Sequence, residues 1–222
     1  MAGADRAVRI VALSGLVALT AGSAAAQLGP QHGLVEPNVA ADSTLAKLPG
    51  LNAASVEALK SAKPLLSIVT VDSILASKGL TKAQRTDLYG KMFVHVDINR
   101  GSDAEFLLIP GVDATKLAAI KAGRPWKTFD QFQTSFGKAT SPAEATRVEQ
   151  YLFIPIELNT FTPAIMDTFA SIGVGTSRWK REFAEYRPWT SMAQFEREIG
   201  KYVRGNPSEL KRLQRYVIIE GK

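Results

Sequence analysis

Phe93 to Gly111 reads FVHVDINRGSDAEFLLIPG. An alternating apolar run ends in Asn99, a short amphipathic stretch follows, and a turn is centred on Gly111. The same succession starts at Phe153, as FIPIELNTFTPAIMDTFASIG, and near His32, as HGLVEPNVAADSTLAKLPG. Asn38, Asn99 and Asn159 stand 61 and 60 residues apart, and the turns centre on Gly50, Gly111 and Gly173. Self-similarity at a fixed period marks a repeat architecture. The spacing predicts three units, over 34–98, 99–159 and 160–222.

Outward from each Asn the order of signals is shared. Ser102 with Glu105, Thr128 with Gln131 and Ser141 with Glu144 are helix-start signals in the second unit. Thr81 with Gln84 plays the part of Ser141 in the first unit, and Asn206-Pro207-Ser208-Glu209 does so in the third. Thr81 to Phe93, Ser141 to Phe153 and Asn206 to Ile218 are each 12 residues, so each capped helix runs into an apolar extended segment at one offset. Ala53–Ser61 and Ala114–Ala122 read as the helices after the Gly turns. Gly123-Arg124-Pro125-Trp126 matches Tyr186-Arg187-Pro188-Trp189, and in the first unit Lys63-Pro64-Leu65 breaks the helix Ala53–Ser61. These patterns predict an all-α chain with short extended segments between units. Pro37 and Pro155 lack the N–H that a strand ladder uses, which leaves pairing of the extended segments open.

Residues 1–26, MAGADRAVRIVALSGLVALTAGSAAA, begin with Arg6 and Arg9 and continue with an apolar run closed by Ala24-Ala25-Ala26. That is the layout of a secretory signal peptide cut before Gln27, or of an uncleaved N-terminal anchor. Gln27 to Gly33 reads as a flexible leader. The chain has no Cys, so no disulfide supports it in an oxidising compartment. Three units would divide it into small cores. Net charge is +6, unevenly placed: residues 34–98 carry 7 basic and 6 acidic side chains, 99–159 carry 7 and 7, and 160–222 carry 11 and 7. Only the third unit is clearly basic.

The succession of Asn, capped helix, Leu/Ile-Pro-Gly, second helix and Arg-Pro-Trp resembles the helix-hairpin-helix family. The nearest version is the secreted ComEA-type domain, and the chain also resembles the extrinsic U subunit of photosystem II. The resemblance covers nearly all of 34–222 and implies three tandem paired-hairpin units. In that family a Gly-hydrophobic-Gly tip presents helix N–H groups to a DNA phosphate, a contact that Lys or Arg reinforces. Here the tips read Gly50-Leu51-Asn52, Gly111-Val112-Asp113 and Gly173-Val174-Gly175. Only the third is intact, and Arg178, Lys180 and Arg181 follow it.

Two functions are therefore expected. The first is a non-catalytic exported subunit that docks on the periplasmic face of a membrane complex, photosynthetic by analogy with the U subunit. Trp126 and Trp189 are either core plugs or, with Arg124 and Arg187, the anchors of its protein interface. The second is periplasmic, ComEA-like binding of double-stranded DNA for DNA uptake through Gly173, Val174, Gly175, Arg178, Lys180 and Arg181. No Ser-His-acid set stands out, nor the Lys and Asp that glycosylases of the resembled family need, so no enzyme is expected. His32 and His95, far apart and without Cys, predict no metal site. No cofactor or small-molecule substrate is expected.

Overall fold

Helix starts expose N–H groups that need acceptors, and the chain supplies one at nearly every start. The computed structural model describes residues 27–221; the expected signal peptide or anchor lies outside them. In 34–98, α1 (Asp42–Leu45) is followed by α2 (Ala53–Ser61), capped by Asn52, α3 (Ile68–Ser77), capped by Ser67, and α4 (Lys82–Tyr89), capped by Thr81. In 99–159, α5 (Asp103–Phe106), α6 (Ala114–Ala122), α7 (Phe129–Ala139) and α8 (Pro142–Glu149) are capped by Ser102, Asp113, Thr128 and Ser141. Further on, α9 (Pro163–Thr168), α10 (Ser177–Glu185), α11 (Met192–Gly200) and α12 (Pro207–Arg215) are capped by Thr162, Thr176, Ser191 and Asn206. The described chain is mostly helical, and no helix in it is long and apolar enough to cross a membrane.

The extended runs do pair. Strands β1 (Val96–Asp97) and β2 (Leu152–Phe153) lie parallel, as do β3 (Ile156–Glu157) and β4 (Val217–Ile218). In 34–98 a parallel bridge joins Val35 to Met92. The residues just before each Asn thus pair with those after the next capped closing helix, and the two strand pairings join neighbouring segments. Val35, Val96 and Ile156 each stand three residues before the Asn, and their N–H groups donate to the carbonyls of Lys91, Tyr151 and Tyr216. Those three carbonyls follow Thr81, Ser141 and Asn206 at a constant ten residues. Ile98 and Leu158 add a second bond, to Phe153 O and Ile218 O. Pro37, at the same position in 34–98, has no N–H to give, and that pairing stays a single bridge. Pro155 falls between β2 and β3, outside both pairings.

Two cores form where three were expected. Residues from Leu34 to Ile154 share one, built on Leu45, Leu75, Phe93, Phe106, Phe132 and Val148. The other gathers Phe153, Phe169, Phe183, Trp189, Phe195 and Tyr216. The boundary runs through β2. Side chains alternate across a strand, so Leu152 and Ile154 face the first core and Phe153 the second. Segments 34–98 and 99–159 therefore bury apolar surface against each other.

The leader is not free. Leu28 is 3% exposed and belongs to the second core. It bridges antiparallel to Phe153, flanked by Gly29 N–H to Leu152 O and Ile154 N–H to Gln27 O. A side chain on Gly29 would stand 1.9 Å from Glu149 O, so only glycine lets the strand lie this close to the end of α8. An apolar residue at 28 between polar neighbours is the reason that polarity read as flexibility at 27–33.

Candidate functional site

Each segment folds around a corner tied by its Asn. The Asn38 side chain accepts from Leu65 N–H (2.8 Å) and donates to Leu65 O (2.9 Å). Asn99 does the same with Trp126 (2.7 and 2.8 Å), and Asn159 with Trp189 (2.7 and 3.0 Å). An amide offers one donor and one acceptor side by side, which fits a peptide unit in an extended bend. Two residues earlier an acid holds the Asn backbone: Glu36, Asp97 and Glu157 accept from the N–H of Asn38, Asn99 and Asn159.

Arg124 and Arg187 reinforce two of these corners. Arg124 Nε donates to Ile98 O (2.8 Å) and Nη2 to Gly101 O (3.1 Å). Arg187 Nε donates to Leu158 O (2.8 Å) and Nη2 to Phe161 O (2.7 Å). Their guanidiniums lie over Phe106 and Phe161, and burial pushes both pKa values below the ordinary Arg value. The indoles sit beneath. Trp126 is 3% and Trp189 2% exposed, and their Nε1–H groups donate to Ile120 O and Phe183 O, both at 2.8 Å. The two indoles are thus buried, while Arg124 and Arg187 are half-buried and bonded to backbone carbonyls at the corners.

The glycine tips have a shared geometry and different surroundings. Gly50, Gly111 and Gly173 all take positive φ, 78°, 76° and 74°, as a left-handed turn requires. The N-cap of the next helix stands two residues on in the first two cases, Asn52 and Asp113, both extended (φ −120° and −111°) and not left-handed turn residues. Their side chains accept from Ser55 and Lys116 N–H, so each carboxamide or carboxylate fills the helix end itself. In the third segment the N-cap is Thr176, three residues after Gly173. Gly175 is therefore an added residue and not the partner of Asn52 and Asp113. It is buried, its N–H donates to Phe169 O (3.0 Å), and a side chain there would stand 1.9 Å from Met166 O. Val174 N–H also donates to Phe169 O (3.2 Å). These amides are used within the turn.

An Arg from the closing helix grips the second and third tips. Arg147 Nη1 donates to Pro110 O, while its Nε and Nη2 meet both oxygens of Glu144 (2.8 and 2.6 Å). Lys116 Nζ donates to Gly111 O (2.6 Å) and pairs with Glu144 at 2.8 Å. The Arg147 guanidinium, with Lys116, holds the Glu144 pKa down at about 2. Arg212 repeats the grip, with Nη1 on Ile172 O (2.6 Å), Nη2 at 3.5 Å from Gly173 O, and both Glu209 oxygens at 2.7 Å. These grips escaped the sequence reading. Their signal is Glu-x-x-Arg, three and six residues after Ser141 and Asn206; Gln84 and Asp87 occupy the places in 34–98.

Of the basic residues after the third tip, Lys180 pairs with Asp167 and Arg181 with Glu182 (2.6 Å). Arg178 is exposed and its guanidinium stands 5.9 Å from the centre of the Trp179 ring. His95 is buried on Glu36, Nδ1 to Oε2 at 3.2 Å, and no group of three or more metal-ligating side chains occurs among the described residues. The chain matches no family model, no curated protein and no solved structure.

Proposed function

We propose that the chain is an exported, non-catalytic scaffold of three helix-hairpin-helix units that docks on a protein partner in a membrane complex, with residues 1–26 removed before Gln27. One observation carries this reading. At each tip a cap of the chain itself already takes one of the helix-start N–H groups, and at the second and third tips further groups are engaged within the chain. Asn52, Asp113 and Thr176 fill the helix starts, Arg147 and Arg212 are turned inward, and the Val174 and Gly175 amides bond to Phe169 O. At the second tip the cap is the Asp113 carboxylate, and a helix end that caps itself so has little to offer an anion. The same bonds make each tip a stiff corner, suited to presenting a fixed surface.

The test is co-purification from native membranes at low and high salt, with nuclease treatment. Recovery with a membrane complex after nuclease supports docking; recovery only as free protein overturns it. A second reading, periplasmic DNA binding, draws on the basic balance of 160–222 and on exposed Arg178. It requires a low-salt shift of duplex DNA that Arg178→Glu weakens. No shift at low salt removes it.

A further inference from the structure

Among the described residues, every arginine except Arg178 and Arg204 donates a hydrogen bond to a carboxylate or a backbone carbonyl of the chain. The two exceptions line one cleft, of about 480 Å³, with Thr176, Trp179, Tyr202 and Asn206. It lies between the start of α10 and the turn that leads into α12, so the fold brings the two exposed guanidiniums together. Glu209 is the one carboxylate in the lining, and Arg212 holds both its oxygens. The Asn206 and Thr176 side-chain oxygens accept from Glu209 and Trp179 N–H. Asn206 Nδ2 and the Thr176 hydroxyl proton have no acceptor among the described residues. The lining therefore offers donors and positive charge, and no uncommitted carboxylate.

The corner does not need these charges to form. Counted from the helix caps, Arg178 and Arg204 correspond to Ala54 and Gly79 in 34–98, and to Thr115 and Ala139 in 99–159. Both of those segments fold without the pair. A guanidinium offers two parallel N–H groups to a carboxylate, and Arg beside Trp and Tyr is the composition of a protein-interface centre. We propose that this cleft holds the docking partner, and that the segment it takes is an acidic peptide. Asp or Glu side chains meet the two guanidiniums, and an apolar side chain between them lies against Trp179, Tyr202 and Val203. The walls are set in advance. Trp179 stacks on Phe183 with ring centres 6.0 Å apart, and Tyr202 OH meets Tyr186 OH at 2.9 Å. Duplex DNA shares the anionic chemistry but not the shape. It is a convex cylinder held by a row of cations along its phosphates, and the neighbouring Lys180, Arg181 and Arg212 are already paired. Its phosphates would rest on the rim and leave the aromatic wall uncovered.

This inference rests on the docking reading above and names its surface. The exported chain is titrated at low salt with a labelled, end-blocked peptide in which Asp and Glu flank one Phe, with the Asn and Gln counterpart of that peptide, and with duplex DNA. The acidic peptide should bind. Arg178→Ala and Arg204→Ala should each weaken it about tenfold, the effect of losing one charge-assisted bond. Lys138→Ala, outside the cleft, should change nothing. Both arginines are exposed and unbonded, so the melting midpoints of the variants should match the wild type. Equal binding of the neutral peptide, or binding that survives both substitutions, overturns the cleft. Duplex DNA that binds more tightly than the peptide, through the same two arginines, assigns the cleft to nucleic acid and overturns the peptide occupant. The double variant is also carried through the co-purification from native membranes. A membrane complex recovered with the wild type and lost with the double variant is the expected result. A complex recovered with both overturns the cleft and leaves docking intact. Recovery with neither overturns docking, and this inference with it.

Discussion

Lys63 stands where the other two corners have Arg124 and Arg187, and the comparison shows what a corner needs. Arg124 and Arg187 each donate to the carbonyls one residue before and two residues after the Asn. The equivalent carbonyls in 34–98 belong to Pro37 and Ala40. Lys63 reaches no carboxylate within ion-pair distance among the described residues, and burial pushes its pKa below the ordinary Lys value. A flexible ammonium cannot reproduce the planar fork of a guanidinium. Lys63→Arg should therefore supply two carbonyl bonds and raise stability by about 1 kcal/mol, since a net hydrogen bond to a charged donor is worth about that or more. Urea unfolding monitored by helicity gives the answer, and an unchanged or lowered midpoint would show that the first corner is built differently. The Asn positions themselves were legible from spacing alone. The direction of their bonds, onto the residue after the proline, was not, because 27 to 30 residues separate the partners.

Helix starts were the most readable elements, because a cap is a local event between residues three apart. Ala53–Ser61 and Ala114–Ala122 match the expected ranges, and Thr81 and Ser102 form reciprocal capping boxes. The third tip misled because one added residue, Gly175, copies the appearance of a family motif while the cap moves on to Thr176. The grip of α8 on the second tip was hidden for another reason, since Arg147 reaches 37 residues back to Pro110. That grip has a pH signature. The Arg147 guanidinium holds Glu144 at a folded pKa of about 2 against an ordinary 4.5. A carboxylate whose pKa is lowered by folding contributes stability above its unfolded pKa and loses it as pH falls through the folded one. The wild-type chain should lose stability between about pH 4.5 and 2 from this group. Glu144→Gln should be less stable at neutral pH and should fall less steeply across that window. Parallel acid-unfolding curves for the two proteins would contradict the assignment.

At the scale of the molecule, the first described residues stabilise its last segment. Leu28 precedes the first unit in sequence, yet it packs with Phe153 and the other side chains of the second core. Period and capping could not reveal this, because one apolar residue in a polar stretch carries no periodic signal. The two cores meet along β2, and hydrogen bonds also join 27–98 to 160–221: Arg215 Nη2 to His95 O, Ser208 Oγ to Lys63 O at 3.4 Å, and Gln27 N–H to Thr168. Apolar burial within each core far outweighs such contacts, so the cores should respond separately to local damage. Truncation of a fully buried Leu to Ala costs about 3 kcal/mol where the site cannot collapse. Leu28→Ala should therefore speed amide exchange at Ile156 and Leu158, whose N–H groups bond to Tyr216 O and Ile218 O. Val71 and Leu75, in α3 of the first core, should exchange as in the wild type. Equal acceleration at both sets would mean that the two cores unfold as one body and that β2 transmits the loss between them. Acceleration confined to Val71 and Leu75 would place Leu28 in the wrong core. A response limited to Ile156 and Leu158 ties the strap at 27–29 to the closing segment, 125 or more residues away along the chain by the bridge from Leu28 to Phe153.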